Sequence, residues 1–408
     1  MMRALFSGVS GLQNHQLRMD VVANNIANVN TIGFKASRAL FTEAMNQALR
    51  GASAPQQNRG GTNPAQVGLG VALASIDTIL SPGNTQVTGE NTDLAIQGNG
   101  YFVLDTGSGR VYTRAGAFKL DGNGYLVDAG TGDRVLGWQA NGGVLPATNE
   151  TNLAAIRIPA DVTLAAQAST QVTFTGNLDA SQPTGATRDL TVDVVDSLGQ
   201  THKLRITLTK SAANTWDWTV YDPSLNPIGN SGATPVVFDP TGKVQSGGTG
   251  TVTYAPGGGA SSMTLNLDFS ALTQYAQEST AIGSSDGYGA GSLVGFSVDP
   301  TGTITGIFSN SRKLVLGQVA LATFTNPGGL QRAGGGMFQE SANSGKADIG
   351  APGTGTRGSI APGSLEMSNV DLAQQFTDMI TTERGFQANS RVITTADEML
   401  QELANLKR

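Results

Sequence analysis

Two stretches at opposite ends of the chain carry an apolar residue every seven positions. The apolar positions lie within residues 1–35 and 365–408, and they are Leu5, Leu12, Met19 and Ile26 in the first stretch and Leu372, Phe376, Met379, Phe386, Ile393 and Leu400 in the second. A seven-residue apolar repeat gives a helix one narrow stripe, which it buries against another helix. The sequence therefore predicts that the two ends pair with each other, or with other chains, as a coiled coil.

The composition excludes several classes of function. Charged residues make up 14% of the chain and the net charge is −6, so no basic face is available for nucleic acid or an anionic membrane. The chain has no cysteine and no apolar run of the roughly 18 residues that span a bilayer. The polar run 13–16 interrupts any apolar core of a signal peptide. We expect no membrane insertion, and export without a cleaved leader if the protein leaves the cell.

The pattern between the ends is typical of strands. Short alternating runs with Gly, Pro and Asn turns recur through most of the chain. The sequence predicts a mainly β protein with helical termini, in which an outer β-sandwich or barrel is inserted into an inner β domain. The predicted parts are a terminal-helix domain (1–30 and 369–408), a linker or hinge (31–70), a discontinuous inner β domain (71–145 and 285–368) and an inserted outer domain (146–284).

Finer expectations concern the helices and the linker. We predict helices over 3–28 and from about 369 to 406. Apolar residues at helical spacing also predict an amphipathic segment over 34–49. Several asparagines crowd the end of the first helix, where they can cap it locally or bond to one another across subunits, and Gly33 is suited to positive φ.

Three short patterns resemble catalytic or ligand sites, and none has the context that the chemistry requires. Residues 353–358 match a dinucleotide pattern, but Pro352 precedes them and no helix begins directly after them. Residues 283–287 match a nucleophile elbow, but both histidines lie upstream. Residues 121–124 begin like a calcium loop and lack the glutamate at position twelve. We predict loops or a hairpin turn here, no enzyme, no metal and no cofactor.

Two longer motifs carry a specific resemblance. The first contains Asn24, Asn25, Ile26, Ala27 and Asn28, followed by Gly33, Phe34 and Lys35, and the second runs from 385 to 400. Together they resemble the bacterial flagellar axial proteins, the family of rod and hook subunits. The resemblance covers both ends and the first β domain, whereas the middle domain has no recognisable motif.

The resemblance implies a self-assembling structural subunit. In that family, terminal helices form the inner tube of a helical polymer, and the expected interface consists of the apolar positions named above. The extra domain at 146–284 favours a hook subunit, a universal joint for motor torque, over a distal rod subunit. The implied partners are copies of the chain, the hook cap, the distal rod, the hook–filament junction proteins and the flagellar type III export apparatus. The implied location is the extracellular flagellum.

An alternative of a different class is a surface adhesin whose helices only anchor a carbohydrate-binding β domain. Binding of residues 146–284 to glycans would distinguish it, although the sequence shows no aromatic platform for a sugar.

Overall fold

The computed structural model describes residues 2–55, 59–159 and 161–405, and it is mainly β with one long helix at each end. Helix α1 spans Met2–Ala27 and α2 spans Leu372–Asn405. The predicted fold class is confirmed, and both helices begin and end within three residues of the predicted bounds, except that residue 406 lies outside the described residues.

Short strands fill the chain between the helices. Those before residue 160 are β1 (Ser37–Glu43), β2 (Asn46–Arg50), β3 (Ala65–Gly68), β4 (Val71–Thr78), β5 (Thr85–Val87), β6 (Leu94–Gln97), β7 (Tyr101–Asp105), β8 (Arg110–Thr113), β9 (Phe118–Leu120), β10 (Leu126–Asp128), β11 (Arg134–Gln139) and β12 (Ala154–Ala155). Then follow β13 (Thr163–Leu164), β14 (Gln171–Asp179), β15 (Thr187–Val195), β16 (Thr201–Ala212), β17 (Thr215–Tyr221), β18 (Pro227–Asn230), β19 (Val236–Phe238), β20 (Val244–Ser246), β21 (Thr249–Tyr254), β22 (Met263–Tyr275), β23 (Ile282–Ser285) and β24 (Gly291–Val298). The last are β25 (Thr303–Phe308), β26 (Lys313–Val319), β27 (Leu321–Thr323), β28 (Gln331–Gly334), β29 (Met337–Gln339), β30 (Asp348–Gly350), β31 (Ser359–Pro362) and β32 (Ser364–Glu366).

The described residues form two compact units. The first holds those of 1–159, 296–305 and 314–408, and the second holds those of 160–295 and 306–313. The second unit starts and ends later than the predicted insertion at 146–284. The reason at its start is that β12 pairs with β11, with Ala155 opposite Leu136, which ties residues 150–159 to the first unit.

The first unit contains a β core and, at the two ends of the chain, both terminal helices. Strand β7 pairs antiparallel with β8 and β11, and β8 pairs with β29. Alternate side chains of these strands meet in one cluster, in which Trp138 is fully buried and Tyr101 packs edge-on against Phe324 and Phe338. The predicted hairpin around 121–124 is present, with Leu120 opposite Leu126.

The second unit is a two-layer sandwich. One sheet has the order β21-β22-β14-β23, and the other has the order β15-β16-β17-β19-β20 with β18 beside β17. Burial alternates along β17 and along the first part of β22, and it places Trp216, Trp218 and Phe269 in a single core. Phe174 stacks on Phe269 in this core at 4.5 Å between ring centres.

Two predictions about local structure, at residues 34–49 and at 283–287, are wrong. Residues 34–49 are not helical, because Leu40 and Phe41 lie in β1, which pairs with β4 through a bulge between these two residues. The bulge breaks the alternation of period two. Residues 282–285 form β23, which takes in the start of the loop predicted at 283–287. The predicted linker at 31–70 contains β1, β2 and β3. Residues 353–358 are a loop, as predicted.

Candidate assembly site

The terminal helices pair within the chain, and they run antiparallel. Gly8 near the start of α1 faces Ile393 near the end of α2, and Asn25 at the end of α1 donates from Nδ2 to Oε1 of Gln375 at 3.0 Å. Between these points Arg18 forms a half-exposed ion pair with Asp378 at 3.0 Å. The ion pair agrees with the excess of basic residues at the N-terminal end and of acidic residues at the C-terminal end.

Glycines let the two helix backbones approach closely. A Cβ atom at Gly11 would lie 2.8 Å from Nδ2 of Asn389, and one at Gly385 would lie 2.5 Å from Cε1 of His15. A Cβ at Gly8 would lie 3.1 Å from Ile393. Glycine in a helix interior costs about 1 kcal/mol of stability relative to alanine. At these positions a larger side chain would prevent the close approach of the helices, which explains why the sequence has glycine there.

The large apolar side chains of the two helices are covered only in part. Met2, Phe6, Phe376 and Ile380 are each more than half exposed, and Phe6 is 66% exposed. Of the predicted interface positions, Leu372, Phe376 and Phe386 are exposed; the half-buried ones are Leu5, Leu12, Met19, Ile26, Met379, Ile393 and Leu400. Most buried positions of the pair are small or polar, including Gly8, Gly11, Asn14 and Thr382, and Val22 is a larger apolar residue among them.

Asparagine side chains fasten α1 to strand β1 and to the start of β4. Asn25 donates from Nδ2 to the carbonyl oxygen of Ser37 at 2.7 Å and accepts the Ser37 N–H on Oδ1 at 2.9 Å, as a neighbouring strand would. Asn14 donates to the carbonyl oxygen of Val71 at 2.7 Å. Both asparagines are buried, so their bonds replace water for backbone groups at the edges of the sheet.

The other asparagines of the first motif make local contacts or face solvent. Asn28 donates to the carbonyl oxygen of Asn24 at 2.9 Å and accepts from Oγ1 of Thr31 at 3.0 Å, which is local capping. Asn24, Ala27 and Asn30 are exposed. Of the two readings offered by the sequence, the local one therefore describes Asn28, and Asn25 bonds to a distant part of its own chain.

A buried ionic cluster joins the bases of the two helices. Nζ of Lys35 donates to Oε1 of Glu366 at 2.6 Å and to the carbonyl oxygen of Ser81 at 2.9 Å. Arg114 donates from Nη1 to Oε2 of Glu366 at 3.2 Å. Burial lowers the pKa of Lys35, while the hydrogen bond and charge of Glu366 oppose this effect. Sequence reasoning singled out Lys35 and missed Arg114 and Glu366, which have no local signal.

The remaining motif residues shape the same region. Gly33 has a φ of +67°, as expected, and its N–H donates to the carbonyl oxygen of Glu366 at 2.8 Å. The guanidinium of Arg332 lies 5.4 Å from the centre of the Phe34 ring. Asn369, just before α2, accepts the Ala36 N–H on Oδ1 at 2.8 Å. The segments that enter and leave the helix pair are therefore bonded to each other.

Strands β2 and β3 form an exposed two-stranded ribbon, here called the arm (residues 44–69). All but one of its strand residues are exposed, including Leu49 and Val67, and Met45 at its base is 70% exposed. Its base is closed by the bond from Leu69 N–H to the carbonyl oxygen of Met45 at 2.8 Å. An isolated two-stranded ribbon is marginally stable in water.

The described residues hold no group of three or more His, Cys, Asp or Glu side chains placed to bind a metal ion. Neither terminal helix, over its described length, is long and apolar enough to cross a membrane.

Four family profiles match successive parts of the chain. They are described as flagella basal body rod protein (residues 5–35), flagellar hook protein FlgE/F/G D1 domain (95–180), flagellar basal body protein FlaE D2 domain (157–288) and flagellar basal body rod FlgEFG protein C-terminal (361–406). The first and last cover the helix pair, and the third overlaps most of the second compact unit.

Whole-length relatives define the class of protein. The chain is 42% identical to the flagellar hook protein FlgE of Borreliella burgdorferi and 40% identical to that of Treponema pallidum, with all of this chain and all of each relative aligned. It is 34% identical to the flagellar basal-body rod protein FlgG of Bacillus subtilis, again over both whole chains. The chain therefore belongs to the flagellar rod and hook protein family. Within it, the FlgE identities favour a hook subunit over a rod subunit.

A solved structure shares the fold. The crystal structure of Helicobacter pylori flagellar hook protein FlgE2 aligns with a TM-score of 0.51 at 17% identity, covering 70% of this chain and all of that chain.

Proposed function

We propose that the chain is the structural subunit of a bacterial flagellar hook and assembles into a curved helical tube that transmits torque as a universal joint. The terminal helix pairs form the inner tube, and the β units stand outside it. The observation that carries this proposal is the apolar surface left on the helix pair, since Phe6 and Phe376 are 66% and 51% exposed in a single chain. Exposed apolar surface of this kind marks an interaction site.

The contacts between the two helices of one chain leave part of their apolar stripes uncovered, and in our proposal these parts contact neighbouring subunits. Glycines and asparagines bring α1 and α2 together, while Leu372, Phe376 and Phe386 remain exposed. Burying one large apolar side chain contributes roughly 1.5–3 kcal/mol, so a few such residues at each subunit contact are enough to hold a polymer. In our proposal the ten apolar positions predicted from the sequence form this inner seam.

The arm and the outer unit complete the proposed assembly. We assign residues 31–70 to a connector between the helix pair and the inner β domain, with the arm lying on a neighbouring subunit. The proposed partners are other copies of the chain, the hook cap, the distal rod and the hook–filament junction proteins. Export through the flagellar type III apparatus without leader cleavage is part of the same proposal, as is the extracellular location.

A charge placed in the seam tests the proposal. Phe386→Asp should abolish tube formation by purified protein while both β units stay folded, because an aspartate in a closed apolar seam lacks a partner. The matched control is Gln387→Asp, which adds the same charge at the next exposed position of α2. Electron microscopy and circular dichroism give the two readouts. Normal tubes from the Phe386 variant would contradict the seam assignment.

A further inference from the structure

His15 lies where both terminal helices meet strand β1. On the α2 side it packs against Gly385, where a Cβ atom would come within 2.5 Å of the imidazole. On the β1 side the ring of Phe41 meets it edge-on at 6.4 Å between centres. The same side chain lines a cavity of about 640 Å³ with Asn14, Thr42 and Glu43. His15 therefore lies at the point where α1, α2 and β1 contact one another.

One ring nitrogen of His15 lacks a hydrogen bond within the described part of the chain. The Nδ1 atom of His15 is buried, and no group among the described residues bonds to it. A neutral ring tolerates this position, because one of its nitrogens carries no proton and the ring packs as an apolar body. A protonated ring would carry a second N–H on the buried Nδ1 atom, where the described chain offers it no hydrogen-bond acceptor, and this is costly.

We propose that His15 makes the terminal helix pair acid-sensitive: protonation of its imidazole opens the contact between α1, α2 and β1. Neither Gly385 nor Asn389, which approach from α2, offers a compensating charge. On β1, Glu43 lines the cavity, and one of its oxygens already accepts from Asn46 at 3.0 Å. On α1 the charge that acts on His15 is that of Arg18, which is also positive.

The sign of the effect follows from the charges. Burial, and secondly the positive charge of Arg18, lowers the pKa of His15 below 6.5. The unfolded or opened segment then binds the proton more readily than the closed pair does. The closed pair is fully stable above about pH 6.5 and loses stability as the pH falls from there to the lowered pKa. Below both pKa values, each unit of difference between them lowers the ratio of closed to open helix pairs tenfold.

The consequence for assembly depends on the proposed function. If the helix pairs form the inner tube, mild acid should shift subunits towards monomers without unfolding the β units. The opening of the helix pair is a property of the single chain, and its test does not require a polymer.

Hydrogen exchange on the full-length monomer at pH 7.5 and 5.5 tests the proposal. After correction for the intrinsic pH dependence, protection of α1 amides should fall several-fold to about tenfold in the wild type. It should stay constant in His15→Gln and fall in His202→Gln, the control that keeps His15. Unchanged protection in the wild type, or the same fall in His15→Gln, would overturn the proposal.

A second readout covers the case in which His15→Gln does not pair its helices at pH 7.5. In the His202→Gln variant the single remaining imidazole belongs to His15. Its proton resonance should titrate below 6.5, and titration at or above 6.5 would overturn the proposal. If exchange and titration agree with the proposal but no tubes form at any pH, the proposed function fails and the inference about His15 stands.

Discussion

Nζ of Lys35 lies 2.6 Å from Oε1 of Glu366, and both side chains are 1% exposed although 331 residues separate them in the chain. The contact brings the segment after α1 next to the strand before α2. Arg114 binds the other oxygen of the same carboxylate. The base of the helix pair is thus held by a buried carboxylate shared between two cations.

Glu366→Gln should destabilise the first unit by about 3–5 kcal/mol, because it leaves two buried cations without their carboxylate. Hydrogen exchange of amides in β6 to β8 reports on this unit separately from the second. Asp378→Asn is the matched control. Its half-exposed pair with Arg18 should be worth no more than about 1 kcal/mol. Equal and small effects of the two substitutions would show that the buried cluster is not what stabilises the base.

Gly385→Val should separate the terminal helices, because its side chain would occupy the space of the His15 ring. Overpacking of this kind typically costs 1–3 kcal/mol. Ala388→Val places the same side chain at an exposed position of α2. It lowers helix propensity, whereas Gly385→Val raises it, so a larger loss of protection in the Gly385 variant is due to the clash. Exchange protection of α1 is the readout. Equal protection in both variants would mean that the close approach of the helices is unimportant.

The arm should be removable without loss of the fold. The Ala44 N–H donates to the carbonyl oxygen of Gly70 at 3.0 Å, so a short Asn-Gly turn can replace residues 46–68 across the closed base of the ribbon. We expect unchanged exchange protection in the first unit and impaired tube formation. A matched change shortens the exposed turn 256–261 in the second unit. Normal tubes from the chain without its arm would contradict the proposed arm contact.

The turn at Asp196 should make the second unit sensitive to strong acid. The pKa of Asp196 is lowered chiefly by its hydrogen bond with His202 at 2.9 Å, and also by bonds from the Gln200 and Leu198 N–H groups, against the opposing effect of burial. A carboxyl group whose pKa is lowered by folding stabilises the folded unit at any pH above its unfolded pKa of about 3.8. This stabilisation is lost as the pH falls from there through the pKa of the folded state.

Asp196→Asn should therefore reduce the loss of stability of this unit between about pH 5 and pH 2. Fluorescence of Trp216 and Trp218 in a Trp138→Phe background follows that unit alone. Asp193→Asn, at a position where the side chain is 57% exposed, is the control. An acid transition unchanged by Asp196→Asn and shifted by Asp193→Asn would contradict the assignment.

The sequence predicts the helices well because their signal is local and repeats over several turns. The apolar heptads locate α1 and α2, but a period cannot tell which neighbour covers a stripe. The contact within the chain instead uses Gly8, Gly11 and Gly385, and the sequence does not predict that these glycines bring the helices together. Strand β1 could not be recognised, because its bulge makes the adjacent residues Leu40 and Phe41 break the alternation of a strand and imitate helical spacing.

The buried cluster could not be predicted, for a different reason. Lys35 stands in a recognisable motif, whereas Arg114 and Glu366 are ordinary charged residues in the sequence. Only the folded chain brings the three together. The same is true of Asn25, whose bonds to Ser37 depend on β1 lying beside the helix.

Electron microscopy of concentrated full-length protein beside a truncated chain lacking residues 1–30 and 369–408 tests the central claim most directly. The truncation removes both helices and keeps Lys35, Arg114 and Glu366. We predict tubes from the full-length chain and a folded monomer from the truncated one. Tubes of the same kind from both chains would contradict the claim that the terminal helices drive assembly.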